Sequence, residues 1–148
     1  MLTKLLETAC AQTLTASEYE VIIVDNASTD NTRSLVESFS QRYTHVRYIL
    51  EERLGASHAR NRGWRDAKGQ YIAFTDDDCR LPQDWLAKAK KIVIERSLDI
   101  FGGPYYSCFE TTKPRWFRNT YCSLVHFEKT KKLNTNRHQP KELVSLTQ

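Results

Sequence analysis

The sequence predicts an α/β fold built on a parallel sheet. Short apolar, β-branched runs alternate with stretches of about ten residues whose apolar positions recur at helical spacing. Two acidic clusters, one at Asp25 and one at Asp76, Asp77 and Asp78, fall where such runs end. Strands joined through helices lie parallel with right-handed crossovers, and sheets of this kind take ligands outside the carboxyl ends of their strands.

The elements follow in order. Leu2, Leu5, Leu6, Ala9 and Cys10 share one helical face, which places a helix near the start, ending about Thr13. Residues 19–24 form a short β-branched run, expected as a fully buried strand. The run stops at Asp25-Asn26-Ala27-Ser28-Thr29-Asp30, a group of turn and capping residues. A helix over residues 32–43 buries Leu35, Val36 and Phe39, with Asp30 or a neighbour as its cap. Residues 46–50 are a second strand. Gly55 opens a helix that passes through Ala59 and Trp64 and ends before Gly69. Residues 71–75 are expected as a third strand and residues 82–95 as a helix with Pro82 in its first position. Residues 98–101 are a candidate fourth strand before Gly102-Gly103-Pro104.

The bulk composition bounds the class. At 148 residues the chain suits one domain with a single core, and 40% hydrophobic with 27% charged residues is ordinary for a globular protein. No apolar run has the length of a membrane span, and the N-terminus lacks the pattern of a signal peptide. Cys10, Cys79, Cys108 and Cys122 include no Cys-x-x-Cys pair, which argues against structural zinc and against a disulfide scaffold. The expected setting is the cytoplasm, including the inner face of the membrane. The net charge of +4 is uneven. Lys113, Arg115, Arg118, Lys129, Lys131, Lys132, Arg137 and Lys141 face only Glu128 and Glu142 in the last part of the chain. Residues 1–110 therefore hold the alternating elements, and 111–148 are expected as a basic, partly irregular segment. Beside Trp116 and Phe117 that segment could meet an anionic lipid surface; a solvated end is the plainer expectation for residues 131–141.

The triplet Asp76-Asp77-Asp78 follows the apolar run Tyr71-Ile72-Ala73-Phe74, where clustered charge needs a reason. Along an extended backbone Asp76 and Asp78 share one side and Asp77 takes the other. Two carboxylates on one side can hold a hard divalent cation that draws its other ligands from water and phosphate. A solvated acidic turn ahead of the next helix is the competing explanation. Asp25 has its own plain alternative, a helix cap, although Ser28 and Asp30 already fit that task. His58 reads as an exposed helix residue and Trp85 as a packing anchor. Arg60 and Arg62 lie on different helix faces, so at most one of them faces a site.

Taken together, Val24-Asp25-Asn26-Ala27-Ser28-Thr29-Asp30, Gly55-Ala56-Ser57-His58-Ala59-Arg60-Asn61-Arg62-Gly63, Thr75-Asp76-Asp77-Asp78 and Pro82-Gln83-Asp84-Trp85-Leu86 resemble glycosyltransferase family 2. The resemblance covers the first two thirds of the chain. It implies a GT-A, Rossmann-like nucleotide-sugar-binding domain that transfers a sugar from a nucleotide-diphosphate donor to a saccharide or lipid-linked hydroxyl, with inversion. It also implies donor contacts from Asp25 at the nucleobase, Arg60, Asp76 and Asp77, with Mg2+ or Mn2+ on Asp76 and Asp78. Residues 1–110 would then be a partial GT-A domain.

Two departures accompany the resemblance. Family members open with an apolar strand and a Pro-Thr-Tyr-Asn-like turn, which would lie between the strand ending at Asp25 and the strand ending at Asp76. Without it the remaining strands close up, the domain is unstable, or another segment fills the place. The family's base for the acceptor proton comes from an acidic motif downstream, whereas Glu95, Asp99, Glu110, Glu128 and Glu142 are isolated, so no catalytic base is assigned. The expectation is a partial chain, missing its first strand and its acceptor half, with the activity of the isolated chain left open. A non-catalytic nucleotide-binding remnant is the alternative. A basic nucleic-acid-binding module is a weaker one, since no recognition motif accompanies the charge and no nucleic-acid partner is expected.

Overall fold

A computed structural model describes residues 1–103, 106–109, 111–117 and 144–147. Its elements are α1 (Leu2–Cys10), β1 (Val21–Asp25), α2 (Thr32–Arg42), β2 (Val46–Leu50), α3 (Ala56–Asp66), α4 (Trp85–Arg96) and β3 (Val144–Thr147). Two compact units make up the chain, Met1–Ala89 with Arg137–Gln148, and Lys90–Asn136.

The first unit is a three-stranded sheet in the order β2-β1-β3, and both pairings are parallel. β1 is buried at all five positions. Its alternating side chains serve two layers. Val21 and Ile23 join Leu2, Leu5, Leu6, Ala9, Val36 and Phe39 in one cluster, so α1 and α2 cover that face. Ile22 and Val24 meet Ala59 of α3 on the other. A central strand covered on both faces reads as a continuous apolar run, which is why its sequence pattern was legible.

The edge of β1 away from β2 is taken by β3, with Val21 opposite Val144 and Val24 opposite Thr147. Of the three expected outcomes for this edge, the one in which another segment lies beside β1 is what the described residues show. This strand lies inside the C-terminal segment that the sequence reads as partly irregular; residues 131–141 lie outside the described residues.

Three local expectations are corrected. Residues 71–75 join no ladder among the described residues, and Tyr71 and Phe74 are 36% and 46% exposed. A strand exists through its partner, and among the described residues β3, which lies beside β1, pairs with β1 alone. Residues 98–101 likewise form no strand, with Ile100 and Phe101 exposed. The fourth helix starts at Trp85, and Pro82 sits in the turn before it, its carbonyl accepting the Trp85 N–H at 3.0 Å. The reason is tertiary. Gln12, just past α1, accepts the Leu86 N–H at 3.0 Å and donates to the Pro82 carbonyl at 2.9 Å. A side chain far away in sequence thus satisfies an N–H that the first helical turn leaves without a partner.

Within the second unit, Phe109 packs edge-on against Phe117 at 4.9 Å, and Lys113 lies 5.5 Å over the Phe117 ring. Trp116 is 73% exposed. Among the described residues no helix is long and apolar enough to cross a membrane.

Candidate functional site

Parallel pairing puts the ends of β1 and β2 on one edge, with Asp25 opposite Leu50. Asp25 is 2% exposed, and neither carboxylate oxygen is idle. Oδ1 accepts the Ser28 N–H at 2.9 Å and Oδ2 accepts the Tyr48 hydroxyl at 2.7 Å. The cap position of α2 is Asn31, which makes no side-chain cap bond, and Asp30 just before it accepts the Thr32 N–H at 2.9 Å. That hydrogen bonding holds the Asp30 carboxyl below its ordinary value.

The next residue ties the edge together. Asn26 donates through Nδ2 to the carbonyls of Glu51 and Arg53, at 2.9 and 2.7 Å, and accepts the Gly55 N–H at 2.6 Å. These bonds fix the loop that leads from β2 into α3. Gly55 stands there at φ 125°, a conformation that side chains beyond glycine rarely adopt. Glu51, 5% exposed, accepts both the backbone N–H and Nε of Arg53 at 3.0 Å, and these bonds lower its carboxyl below the ordinary value.

Arg60 lies about one turn into α3, hence about 6 Å along the axis from the helix start. Its Nη2 reaches Oδ1 of Asp76 at 3.3 Å. Asp25 and the Asn26-bound loop thus lead to the start of α3, and Arg60, one turn further along that helix, meets Asp76. Arg62 turns to Asp66 on its own helix. His58 is exposed, and Trp85 is partly buried against the core.

The acidic triplet is a turn and not a strand end. The Asp76 carbonyl accepts the Cys79 N–H at 3.2 Å, closing the backbone around Asp77 and Asp78. Asp76 and Asp78 are exposed and Asp77 is half-buried. Among the described residues no group of three or more His, Cys, Asp or Glu comes together as a metal cluster. Asp76, already paired with Arg60, and Asp78 are the two carboxylates that a cation drawing its remaining ligands from diphosphate and water, in the manner of magnesium, would use.

The opposite edge is built for support. Arg47 pairs with Glu20 at 2.7 Å and donates to the Asp66 carbonyl at 2.9 Å, while Glu20 accepts the Lys68 N–H at 2.8 Å. These contacts hold the far end of α3 and leave its start at the carboxyl edge.

Sequence reasoning missed Tyr48, Asn26, Glu51 and Gln12. Tyr48 could have been found once register was known. It stands opposite Ile23, two residues before Asp25, and so lies on the same face of the sheet. Asn26 sat inside a turn motif where its local role was assumed. Glu51 and Gln12 carried no local signal.

The sequence profile described as "Glycosyl transferase family 2" matches residues 1–145. Glycosyltransferase AglE of Haloferax volcanii is 36% identical over 101 residues, covering 68% of this chain and 33% of that protein. The putative teichuronic acid biosynthesis glycosyltransferase TuaG of Bacillus subtilis is 42% identical over 81 residues, covering 53% of this chain and 32% of its own. The crystal structure of S. aureus TarS 1–349 in complex with UDP superposes with a TM-score of 0.57 at 26% identity, covering 65% of this chain and 29% of that one. The chain thus spans about a third of the length of these relatives.

Proposed function

The chain belongs to glycosyl transferase family 2, and from that premise we propose that it binds a nucleotide-diphosphate sugar for metal-assisted, inverting transfer to an acceptor hydroxyl. The observation that carries this reading is the meeting of Arg60 and Asp76 at 3.3 Å, which brings together two of the residues expected at the donor. The UDP held by the TarS crystal structure supports a nucleotide donor.

In this reaction the acceptor oxygen bonds to the anomeric carbon while the bond from that carbon to the diphosphate oxygen breaks. The nucleoside diphosphate leaves with the electron pair, so negative charge grows on the diphosphate. Arg60 supplies a fixed positive group there, of the kind suited to phosphate recognition. Asp25 accepts a ring N–H of the nucleobase. Asp76 and Asp78 would hold Mg2+ or Mn2+, whose chemistry is Lewis-acid stabilisation of the leaving diphosphate. Asp77 completes the donor side of the turn. The acceptor proton passes to a carboxylate base that none of these residues supplies. Exposed Trp116 with Lys113 and Arg115 supports peripheral contact with a membrane surface that carries a lipid-linked acceptor.

Titration calorimetry with UDP, GDP and dTDP, each with and without Mn2+, tests the reading. At least one nucleotide binds with the metal present and loses about tenfold or more in affinity without it. Asp78→Asn abolishes the metal effect. Equal affinity with and without Mn2+, or an unaltered Asp78→Asn protein, refutes the metal assignment.

A further inference from the structure

Asp25 is held from two directions. The Ser28 N–H reaches Oδ1 from the turn after β1, and the Tyr48 hydroxyl reaches Oδ2 from the neighbouring strand. A carboxylate that is 2% exposed has almost no water to reorient it, so these two donors set its rotation. Each oxygen keeps a second lone pair.

We propose that Tyr48 is a positioning residue for the donor nucleobase, turning the Asp25 carboxylate so that a free lone pair meets a ring N–H of the base. This rests on the nucleotide-sugar reading above. The chemistry of Tyr48 suits the task. Burial, with the hydrogen bond to Asp25 second, pushes its hydroxyl up to about 12, so it remains a donor across the neutral range. Its ring is steadied from α2, where the Arg33 guanidinium lies 5.7 Å from the ring centre. The alternative has the opposite sign. If the hydroxyl merely occupies the place of the base N–H, removing it frees Asp25 and tightens nucleotide binding.

The test compares UDP with N3-methyl-UDP, which lacks the ring N–H, by calorimetry on wild type, Asp25→Asn and Tyr48→Phe. If guanine is the preferred base, GDP and N1-methyl-GDP take their place. Wild type should favour the unmethylated nucleotide by about tenfold, the scale of one hydrogen bond to a charged group. Tyr48→Phe keeps the ring over which Arg33 sits. It should bind UDP about threefold to tenfold more weakly, and its preference over the methylated form should fall below about threefold. A purely structural tyrosine would weaken both ligands by one factor and leave that ratio at its wild-type value. That result overturns the proposal, as does unchanged or tighter binding of UDP by Tyr48→Phe. Failure of wild type to bind any of UDP, GDP and dTDP sinks the nucleotide-sugar reading itself, and this proposal with it. A wild type that binds while Tyr48→Phe keeps its discrimination sinks the proposal alone.

Discussion

At the scale of single residues, Arg60 and Asp76 pair with side chains 47% and 68% exposed. Water screens a pair that open, and such pairs contribute less than about 1 kcal/mol to folding. Its placement matters more for what can bind there than for stability. Arg60→Ala is therefore expected to change the urea-unfolding free energy by less than about 1 kcal/mol. It should lower nucleoside diphosphate affinity about tenfold, through loss of a charge-assisted contact. A large fall in stability with unchanged affinity would make Arg60 a structural residue. Asp25 contrasts with it, being buried and bonded through both oxygens. Its position at a strand end could be read from the run before it, whereas Tyr48 became visible only when β2 was laid against β1.

At the scale of elements, α1 and the turn leading into α4 share a core cluster and are joined by a set of hydrogen bonds in which Gln12 takes part twice. Gln12 is 9% exposed and bonds to Thr8, Pro82 and Leu86. Thr8 Oγ1 adds a bond from the Leu81 N–H at 3.2 Å, and the Thr13 N–H reaches the Gln83 carbonyl at 2.8 Å. This stitching anchors the segment immediately after Asp76, Asp77 and Asp78. Gln12→Ala leaves the Leu86 N–H buried without its partner, and is expected to cost about 2 kcal/mol. Hydrogen exchange should show the start of α4 and the acidic turn opening together in this variant, with β1 still protected. Unaltered exchange at Leu86 would mean that the cap is dispensable. Pro82 was a correct sign that a helix starts nearby. Its exact start was set by a partner 74 residues away in sequence.

For the molecule as a whole, stability has a window in pH. Burial raises the Cys10 thiol from 9.0 to about 11, and the Tyr19 hydroxyl from 10.0 to about 12. Tyr48 moves the same way. Groups raised in the folded state stabilise it fully below their unfolded values and lose that contribution as pH climbs through the folded ones. The decline should begin near pH 9 with Cys10. On the acid side, Arg53 holds Glu51 low and Thr32 holds Asp30 low, so their contributions fade as pH falls below the ordinary carboxylate values of 4.5 and 3.8. Burial also lowers His45 from 6.5, which makes its protonation unfavourable to the fold at mildly acid pH. Urea midpoints are therefore expected to be flat between about pH 6.5 and 9 and to fall on both sides. Cys10→Ala should move the alkaline onset up towards 10, where the tyrosines take over. An unmoved onset would show that the thiol is not the group responsible.

The sequence by itself determined the helix over α1, the buried run of β1, α2, β2 and α3, because each rests on a local period that neighbouring residues impose. It also placed Asp25 at the end of an apolar run that is a strand, and so at the edge where parallel sheets take ligands, whereas the run before the acidic triplet is no strand among the described residues. Only the tertiary structure decided that β3 lies beside β1, that residues 71–75 stay outside the sheet, that Gln12 caps α4, and that Tyr48 holds Asp25. Each of those outcomes depends on a hydrogen-bond partner distant along the chain. Local periodicity says which face a residue presents, and nothing about what will be waiting there.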